Sequence, residues 1–588
     1  MSLRFVTGPS GSGKSTYVYK DIIARSKKEP SGRFLIIVPD QFTMQTQLDL
    51  VTMHDKKGIM NIDVLSFGRL TYRIFEEKGG MEMPMLDDTG KSLIIRRVAA
   101  GMQEKLPVLG GNLSRTGYIH EVKSAISEFM QYGVGLQELD GLVSFSQKRG
   151  QLYHKLKDLR TVYEGFWEFI REKYLTTEES LEVLASLIPS SKLVKDSIIV
   201  FDGFTGFTPV QNKVIGQLLK CAREVTVTVT MDSDTEVFTE VAEQELFALS
   251  KKTMQSLAGI AREAETEIEE SICLTPEVPP RFSDSPELSH LEKNLLRYPV
   301  RPYKGKRNGS IRLFEASTQR EEVRQICIAI RRLINEKNYC YRDIAVICGD
   351  YEAYAGCIEQ EFAAYGIPVY LDQTRGVTLN PFIEYIKSAL QVRVKNYSYE
   401  SVFHYLRSGL ADFTPEETDR LEVYVRALGI RGRKKWETIF VYPSETMVEP
   451  AEELEELNGL RQRLVEQVAP LYGNYRQTRE FARGLYGFIV QNQVQQKLKG
   501  FELQFAKEGD RVREREYAES YRLVMDLLDQ IVNLIGDEPA KPEEFLRILE
   551  AGFEELQVGT IPQEVDRVVA GDMERTRLKQ VKALFLRG

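Results

Sequence analysis

Short apolar runs separated by amphipathic stretches recur along the chain, and this pattern is typical of parallel strands covered by helices on both faces. The earlier runs are LRFVTG (3–8), FLIIVPD (34–40), IDVLSF (62–67), SIIVFDGF (197–204) and VTVTVTMD (225–232). The later runs are SIRLFEAS (310–317), IAVICGD (344–350), IPVYLD (367–372) and VKALFLRG (581–588). The two groups predict an α/β fold with two parallel sheets.

Two long regions have helical spacing and no convincing strand. One of them shows the inward stripe most clearly, at Leu454, Leu457, Leu460, Leu464 and Val468, whose steps of three and four residues are those of an amphipathic helix. A segment rich in proline and charge, 275–310, is typical of a connection between domains. The predicted units are a first α/β region, 1–87 and 194–300, with helical insertion 88–193, and a second, 301–380 and 559–588, with helical insertion 381–558.

Composition supports this division, because 588 residues exceed what one hydrophobic core usually spans. A hydrophobic content of 42% with 28% charged residues is ordinary for a globular protein, and no apolar run approaches the ~20 residues of a membrane span. The start of the chain has no export signal, so we expect a cytoplasmic protein. The six cysteines are well separated in the sequence and are expected to be buried, reduced thiols.

The net charge of −8 does not attract polyanions, so any contact with nucleic acid requires a local basic groove. One basic segment also contains an aromatic residue: RALGIRGRKKWE, 426–437. It combines charges that pair with phosphates with a surface on which a base can stack, at Arg431, Arg433, Lys434, Lys435 and Trp436. A solvated basic turn explains the same residues equally well.

The first strand runs directly into GPSGSGKS, residues 8–15, which is a complete GxxxxGK[ST] phosphate loop. In such a loop backbone N–H groups surround the phosphates, Lys14 balances the β/γ charge and Ser15 can hold Mg²⁺. A strand precedes the motif and a helix-compatible run follows it, as this chemistry requires. The predicted cofactors are ATP and Mg²⁺, and the predicted nucleotide contacts are Gly8, Ser10, Gly11, Ser12, Gly13, Lys14, Ser15 and Thr16.

A nucleotide-hydrolysing site also needs an acid that organises Mg²⁺, usually followed by a glutamate that polarises water. Asp202 follows a predicted strand and fits the first requirement, so Ser15 and Asp202 are the predicted metal ligands. The next residue is Gly203, which can neither accept a proton nor orient water. Metal binding is therefore expected to survive while hydrolysis is weakened, although Asp202 and Gly203 are also compatible with a simple turn.

The order of these motifs resembles that of UvrD/RecBCD-type superfamily 1 helicases. It is closest to one branch, the B subunits of AddAB-type ATP-dependent helicase–nucleases, and this resemblance covers essentially the whole chain. The motifs that carry it are GPSGSGKS (8–15), VPDQFTMQTQ (38–47), SFGRL (66–70), FDGFTGFTPVQ (201–211) and IPQEVDRVVAGDMERTRLKQVKALFLRG (561–588). The resemblance implies two RecA-like P-loop NTPase lobes, each with a mainly helical insertion.

The resemblance also implies roles for particular residues. It places a segment that touches single-stranded DNA after the second strand and another after the third. Gln211 falls where the helicase branch has a glutamine linking ATP to the DNA site. The implied contacts with DNA are Gln41, Thr43, Ser66, Phe67 and Arg69.

Several positions depart from an active motor of this class. Gly203 replaces the glutamate of an Asp-Glu pair, 232–235 lack the expected glutamine, and Gly349 stands where an arginine normally faces the γ-phosphate. One missing group commonly lowers a rate by about 10²-fold, so efficient translocation is not expected. The nuclease domain of the resembled family has no counterpart in the sequence, and we expect a fragment without nuclease activity.

The leading hypothesis is a DNA-binding protein with weak or lost motor activity. By resemblance it would join an AddA-like A subunit in a heterodimer that processes DNA double-strand breaks for recombinational repair, and it would guide one strand and recognise Chi. An active DNA-stimulated motor remains an alternative. A P-loop small-molecule kinase is another, although such kinases rarely need ~600 residues.

Overall fold

The computed structural model describes residues 1–80, 83–111, 116–372, 374–445, 447–559, 566–573, 576, 578 and 581–587. The last of the quoted motifs, 561–588, lies partly outside the described residues. Among the described residues, no helix combines the length and the apolar run that a membrane span requires.

The strands of the described residues are short, and most end at a turn or a helix. In chain order they are β1 Ser2–Gly8, β2 Phe34–Ile37, β3 Ile62–Leu65, β4 Met85–Leu86, β5 Leu175–Thr176, β6 Ile198–Phe201, β7 Glu224–Thr230, β8 Glu267–Ile268, β9 Ile272–Cys273, β10 Ile344–Cys348, β11 Val369–Leu371, β12 Thr374–Gly376, β13 Gln557–Gly559, β14 Val568–Asp572 and β15 Ala583–Arg587.

The helices occupy most of the remaining chain. Those up to the connection between the two α/β regions are α1 Lys14–Lys28, α2 Thr43–Met53, α3 Phe67–Glu77, α4 Asp88–Gly101, α5 Thr116–Tyr132, α6 Leu136–Phe145, α7 Gln151–Ile170, α8 Thr177–Leu187, α9 Pro209–Cys221, α10 Ala248–Glu263 and α11 Pro286–Asn294. Those that follow are α12 Gln319–Lys337, α13 Tyr351–Ala364, α14 Pro381–Val394, α15 Tyr399–Leu406, α16 Pro415–Ala427, α17 Arg433–Glu437, α18 Pro450–Val468, α19 Thr478–Gln491, α20 Val494–Glu508, α21 Arg511–Ile535 and α22 Pro542–Glu555.

The larger sheet has the strand order β3-β2-β6-β7-β1-β8, with β9 also paired to β1, and its pairings are all parallel. Both faces are covered, because Leu35 and Ile37 belong to one core cluster while Phe34 and Ile36 belong to another. This double burial explains why β2 is apolar at every position. Parallel pairing brings the carboxyl ends of the strands to one edge, where open α/β sheets bind their ligands.

A second parallel sheet has the order β11-β14-β10-β15, and β15 is an edge strand within the described residues. The α/β class is therefore confirmed, and the predicted strands other than 310–317 contain or overlap observed ones. The prediction for 310–317 is wrong. A strand needs a hydrogen-bonded neighbour, but the backbone N–H groups of Ser310 and Ile311 donate to the carboxylate of Glu287 instead, and Leu313 is 99% exposed.

The two strand-poor regions are mainly helical. Short strands interrupt them at β5, paired with β4, and at β13, paired with β12, so the expectation of no strand there is wrong at those few residues. The inward stripes are confirmed, since Leu457, Leu460, Leu464 and Val468 of α18 are buried. The stripe of α21 is buried as well, at Val524, Leu527, Leu528, Ile531 and Ile535.

The helical regions also pack against each other. The carboxylate of Glu555, at the end of α22, accepts hydrogen bonds from Ser92 of α4 at 2.8 Å and from Lys123 of α5 at 2.7 Å. Leu93 of α4 belongs to the same core cluster as the helices α14 to α22. Residues more than four hundred positions apart therefore hold the two helical regions in contact.

The cysteines are free thiols that are only partly buried. Cys327 and Cys348 are buried, as expected, and burial raises the pKa of the Cys327 thiol to about 12 and that of Cys348 to about 11. Cys273 is exposed, so the prediction of burial is wrong there. It lies at the end of the short edge strand β9, where little covers it.

A buried ion pair joins helices of the first insertion. The ammonium of Lys91, which is 1% exposed, donates to both carboxylate oxygens of Glu178 at 2.8 Å. Replacing Lys91 with Met leaves the Glu178 charge buried without its partner, so we expect Lys91→Met to lower the free energy of unfolding by about 3–5 kcal/mol in urea denaturation.

The matched control is Lys213→Met, because Lys213 pairs with Glu182 of the same helix α8 but the two side chains are 60% and 51% exposed. That change should cost less than about 1 kcal/mol. A Lys91→Met, Glu178→Leu double variant should recover most of the loss. Equal losses in both single variants would contradict the assignment.

Candidate functional site

The phosphate loop lies between β1, which ends at Gly8, and α1, which begins at Lys14. Gly11 and Gly13 have φ values of +75° and +92°, a region that side chains strain. Among the described residues, apart from Gly13 itself and the backbone next to it, no atom lies within 4 Å of where a Cβ at Gly13 would be, and no side chain caps α1. The first N–H groups of α1 are thus left for an anion at the helix N-terminus.

Lys14 folds back over the start of the loop. Its ammonium donates to the carbonyl oxygens of Gly8 at 3.0 Å and Pro9 at 2.9 Å. Burial lowers the pKa of Lys14 to about 8, the nearby Asp202 and Glu292 oppose this shift, and Arg281 adds to it. The positive charge is therefore costly in this position until an anion lies beside it.

Asp202 lies directly after β6 and is 2% exposed. Its Oδ1 accepts hydrogen bonds from Ser15 at 3.0 Å and Thr228 at 2.7 Å, and its Oδ2 accepts one from Tyr19 at 2.7 Å. Because β7 lies between β6 and β1 in the sheet, Thr228 fills the space between the phosphate-loop strand and the strand that carries the acid.

These residues fit a nucleotide with Mg²⁺. The Ser12 hydroxyl is buried inside the loop and has no hydrogen-bond partner among the described residues, as expected of a group that faces a ligand. The hydroxyl of Ser15 and the carboxylate of Asp202 are oxygen ligands of the kind Mg²⁺ takes together with substrate phosphates. The described residues contain no larger cluster of His, Cys, Asp or Glu that could hold a metal.

The positions that depart from an active motor have other structural roles. Gly203 has a φ of +81°, so a glutamate at this position would strain the backbone as the chain is folded here. The N–H of Gly349 donates to the carbonyl oxygen of Arg587 at 2.8 Å, which is an ordinary backbone contact. Asp232 forms an ion pair with Arg297.

A second feature lies at the same edge of the sheet, after β2 and β3. An open cleft of about 450 Å³ is lined by Asp40, Leu65, Gly68, Arg69, Tyr72 and Arg73. Gln41 and Arg69 are exposed, as a contact with DNA requires. Sequence reasoning missed Tyr72, which is 59% exposed, and Arg73. The missed signal is the i, i+3, i+4 spacing with Arg69, which places all three side chains on one face of α3.

Three of the residues implied to touch DNA point into the protein instead. Thr43 and Ser66 are 5% and 1% exposed, and each completes a local turn: Thr43 Oγ1 donates to Asp40 O, and Ser66 Oγ caps α3 by accepting from Arg69 N. Phe67 packs against Phe201 and its neighbours. Direct side-chain contact with a strand is therefore corrected for Thr43, Ser66 and Phe67, because all three side chains are buried.

The basic segment 426–437 is also corrected in part. Trp436 is fully buried, 6.2 Å from the ring of Tyr397, so its predicted role as a stacking surface for a base is wrong. Part of the segment is helical, because Arg433–Glu437 forms the short helix α17. The indole of Trp436 lies on the buried face of this helix, and the charged side chains lie on its exposed face.

The charged residues of that segment are exposed at Arg431, Arg433, Lys434 and Lys435. Arg433 donates to Glu437 at 2.6 Å, and Lys435 donates to the carbonyl oxygen of Gly429 at 3.1 Å. A contact of these residues with DNA stays a prediction.

Gln211 lies in the first turn of α9. Its side-chain oxygen accepts from Thr208 N at 3.0 Å, and its own N–H donates to Thr208 Oγ1 at 3.3 Å, which forms a capping box. The side chain of Gln211 thus caps the N-terminus of α9. Its predicted link to ATP stays a prediction.

The lowered pKa of Lys14 can be measured directly. An NMR titration of ¹³C-labelled lysines should show one amine that titrates near pH 8, and this signal should be missing from a Lys14→Arg variant. Since the folded pKa lies below the ordinary value of about 10.4, the protein without an anion should gain stability as pH rises from about 8 to 10.4. A Lys14 signal that titrates with the exposed lysines would contradict the burial of this amine.

Comparison with known proteins agrees with the motif order. The family model described as ADDB, N-terminal, matches residues 5–292. The chain is 41% identical over its whole length to a protein of Lachnoclostridium phytofermentans and covers 52% of that protein. It is 34% identical to a protein of Acetivibrio thermocellus and 31% identical to one of Clostridium novyi, and it covers 52% and 51% of these.

All three relatives are named as the B subunit of an ATP-dependent helicase/deoxyribonuclease. The chain spans about half the length of these curated relatives. The alignments include the whole of this chain, and its residues 5–292 match the family's amino-terminal region. Over its whole length the chain therefore resembles these helicase/deoxyribonuclease B subunits, and over residues 5–292 it resembles the amino-terminal model of the AddB family.

Proposed function

We propose that this chain is the nucleotide- and DNA-binding, helicase-like part of the B subunit in a heterodimeric ATP-dependent helicase–nuclease. In this proposal its two α/β regions are RecA-like lobes, its partner is an AddA-like A subunit, and the complex processes DNA double-strand breaks in the cytoplasm. Guidance of one strand and recognition of Chi are the roles that the family suggests for this part. The names of the relatives support the assembly, since each is one component of such an enzyme.

The observation that carries the proposal is the contact between Ser15 and Asp202 at 3.0 Å beside the open turn of the phosphate loop. Ser15 and Lys14 begin α1, and Asp202 follows β6. The sheet brings them together although a long helical insertion separates them in the sequence. ATP bound there would supply the phosphates and Mg²⁺ the charge that balances them. Lys14 would pair with the β/γ-phosphates, and Ser15 and Asp202 would orient the metal.

Weak hydrolysis follows from Gly203. A glutamate in that place would act as the base for the attacking water, but the backbone there has a φ of +81° and the residue has no side chain. Without a group to position water, the site can hold a nucleotide for much longer than a motor does. Binding can then regulate the grip on DNA rather than drive movement.

Strand binding is proposed at the cleft after β2 and β3. Arg69 and Arg73 can pair with phosphates, and the exposed ring of Tyr72 is available for stacking on a base. The cleft lies on the same sheet edge as the phosphate loop, so a nucleotide and a strand would contact neighbouring strand ends. The shared sheet edge therefore connects the nucleotide site with the proposed strand-binding site.

An active motor is the second candidate, and one observation favours it. A carboxylate from a distant part of the chain, Glu292, reaches the phosphate loop, where its Oε1 accepts from Ser10 N at 3.1 Å. Its carboxylate could take the role of the glutamate that Gly203 replaces. A small-molecule kinase has no such support among the described residues.

Nucleotide binding and turnover separate these candidates. The wild-type chain should bind an ATP analogue in calorimetry, and Lys14→Ala should weaken that binding at least about tenfold because the phosphate charge loses its partner. ATP turnover with single-stranded DNA should stay below about 1 s⁻¹. The control is Lys20→Ala on the exposed side of α1, which should bind normally. A DNA-stimulated rate of order 10 s⁻¹ would instead identify a motor.

Strand binding is tested with a fluorescent oligonucleotide. Tyr72→Ala should weaken the affinity about tenfold through the lost stacking surface. Arg69→Ala should weaken it as well, and it should reduce the slope of log affinity against log salt concentration by about 0.7. Tyr132→Ala is the matched control, since Tyr132 is 55% exposed on α5 of the helical insertion. If all three variants bind like the wild type, the strand does not lie in this cleft.

A further inference from the structure

The segment 274–292, here called the cover segment, lies against the phosphate loop. It begins where Leu274 N donates to Thr7 O at 2.8 Å and continues through the short turn Pro280–Phe282 into α11. A Cβ at Gly8 would lie 2.6 Å from Leu274 O, and one at Gly11 would lie 2.8 Å from Arg281 Cβ. The glycines of the loop therefore permit this close packing as well as the turn.

The cover segment brings a negative charge to the loop. Glu292 on α11 is half-buried, and its Oε1 accepts from the backbone N–H of Ser10 at 3.1 Å. Glu292 also lies close enough to Lys14 to affect its pKa. A carboxylate oxygen that accepts a loop N–H makes the same kind of contact as a phosphate oxygen in a phosphate loop.

The position of Lys14 shows which end of a nucleotide Glu292 faces. The ammonium lies at the carbonyls of Gly8 and Pro9, directly before Ser10, and in such loops this lysine serves the β- and γ-phosphates. Glu292 is thus at the end of the loop that meets the terminal phosphates. The buried hydroxyl of Ser12, which has no partner among the described residues, independently indicates that a ligand completes this loop.

We propose that Glu292 makes the site discriminate against the third phosphate of a nucleoside triphosphate. A nucleoside diphosphate can bind while Glu292 keeps its hydrogen bond to Ser10, but a γ-phosphate must displace the carboxylate or tolerate its charge. The exchange also moves α11 and the cover segment, so the third phosphate is sensed by the connection to the second α/β region. This proposal rests on the proposed nucleotide site.

The test compares ADP with a non-hydrolysable ATP analogue by calorimetry. Glu292→Gln keeps an acceptor for Ser10 N–H and removes the charge, so it should tighten binding of the triphosphate about tenfold and leave ADP within about twofold. Glu292→Ala should act in the same direction. Lys293→Gln, a change at the neighbouring exposed residue of α11, is the matched control and should alter neither affinity.

Each other outcome has a definite meaning. Equal tightening for ADP and the triphosphate, or no change in either, overturns the discrimination while the nucleotide site stands. Loss of ATP turnover in Glu292→Gln at unchanged affinity makes Glu292 a catalytic carboxylate and also overturns it. If the wild type and all variants bind neither nucleotide, with circular dichroism showing folded protein, the proposed nucleotide site itself is wrong.

Discussion

Three hydroxyl groups converge on the buried carboxylate of Asp202, from Ser15 and Tyr19 on α1 and from Thr228 on β7. At 2% exposure little water is available to replace any of them, so each lost contact would leave a buried polar group unpaired. The strand that carries the acid is therefore held at a constant distance from the phosphate loop. Every proposed role of the loop, from holding Mg²⁺ to discriminating phosphates, depends on this spacing.

Around this centre lie groups that can bind an anion, and the proposed weak hydrolysis depends on the residue that follows Asp202. Gly203 adopts a backbone conformation that disfavours the missing glutamate. The carboxylate that does reach the loop, Glu292, arrives on a helix beyond the sheet and bonds to the loop itself. A negative group in that place competes with a phosphate more directly than it activates water.

The helical regions stabilise a different part of the molecule. Glu555 receives hydrogen bonds from α4 and α5, and Leu93 enters the large core of the later helices. An insertion of the first α/β region is thus anchored on an insertion of the second. The two α/β regions are thus already joined through their helical insertions. This contact limits how far the α/β regions can separate when the cover segment is displaced.

The sequence by itself determined the α/β class, most strands, the inward stripe of α18 and the phosphate loop, because periodicity and glycine spacing act over a few neighbouring residues. It also placed Ser15 and Asp202 in one site. Only the tertiary structure decided that Trp436, Phe67 and Ser66 face inward, that Tyr72 joins the cleft, and that Glu292 meets Ser10. Burial and contacts between residues far apart in the chain depend on packing, which leaves no local pattern in a sequence.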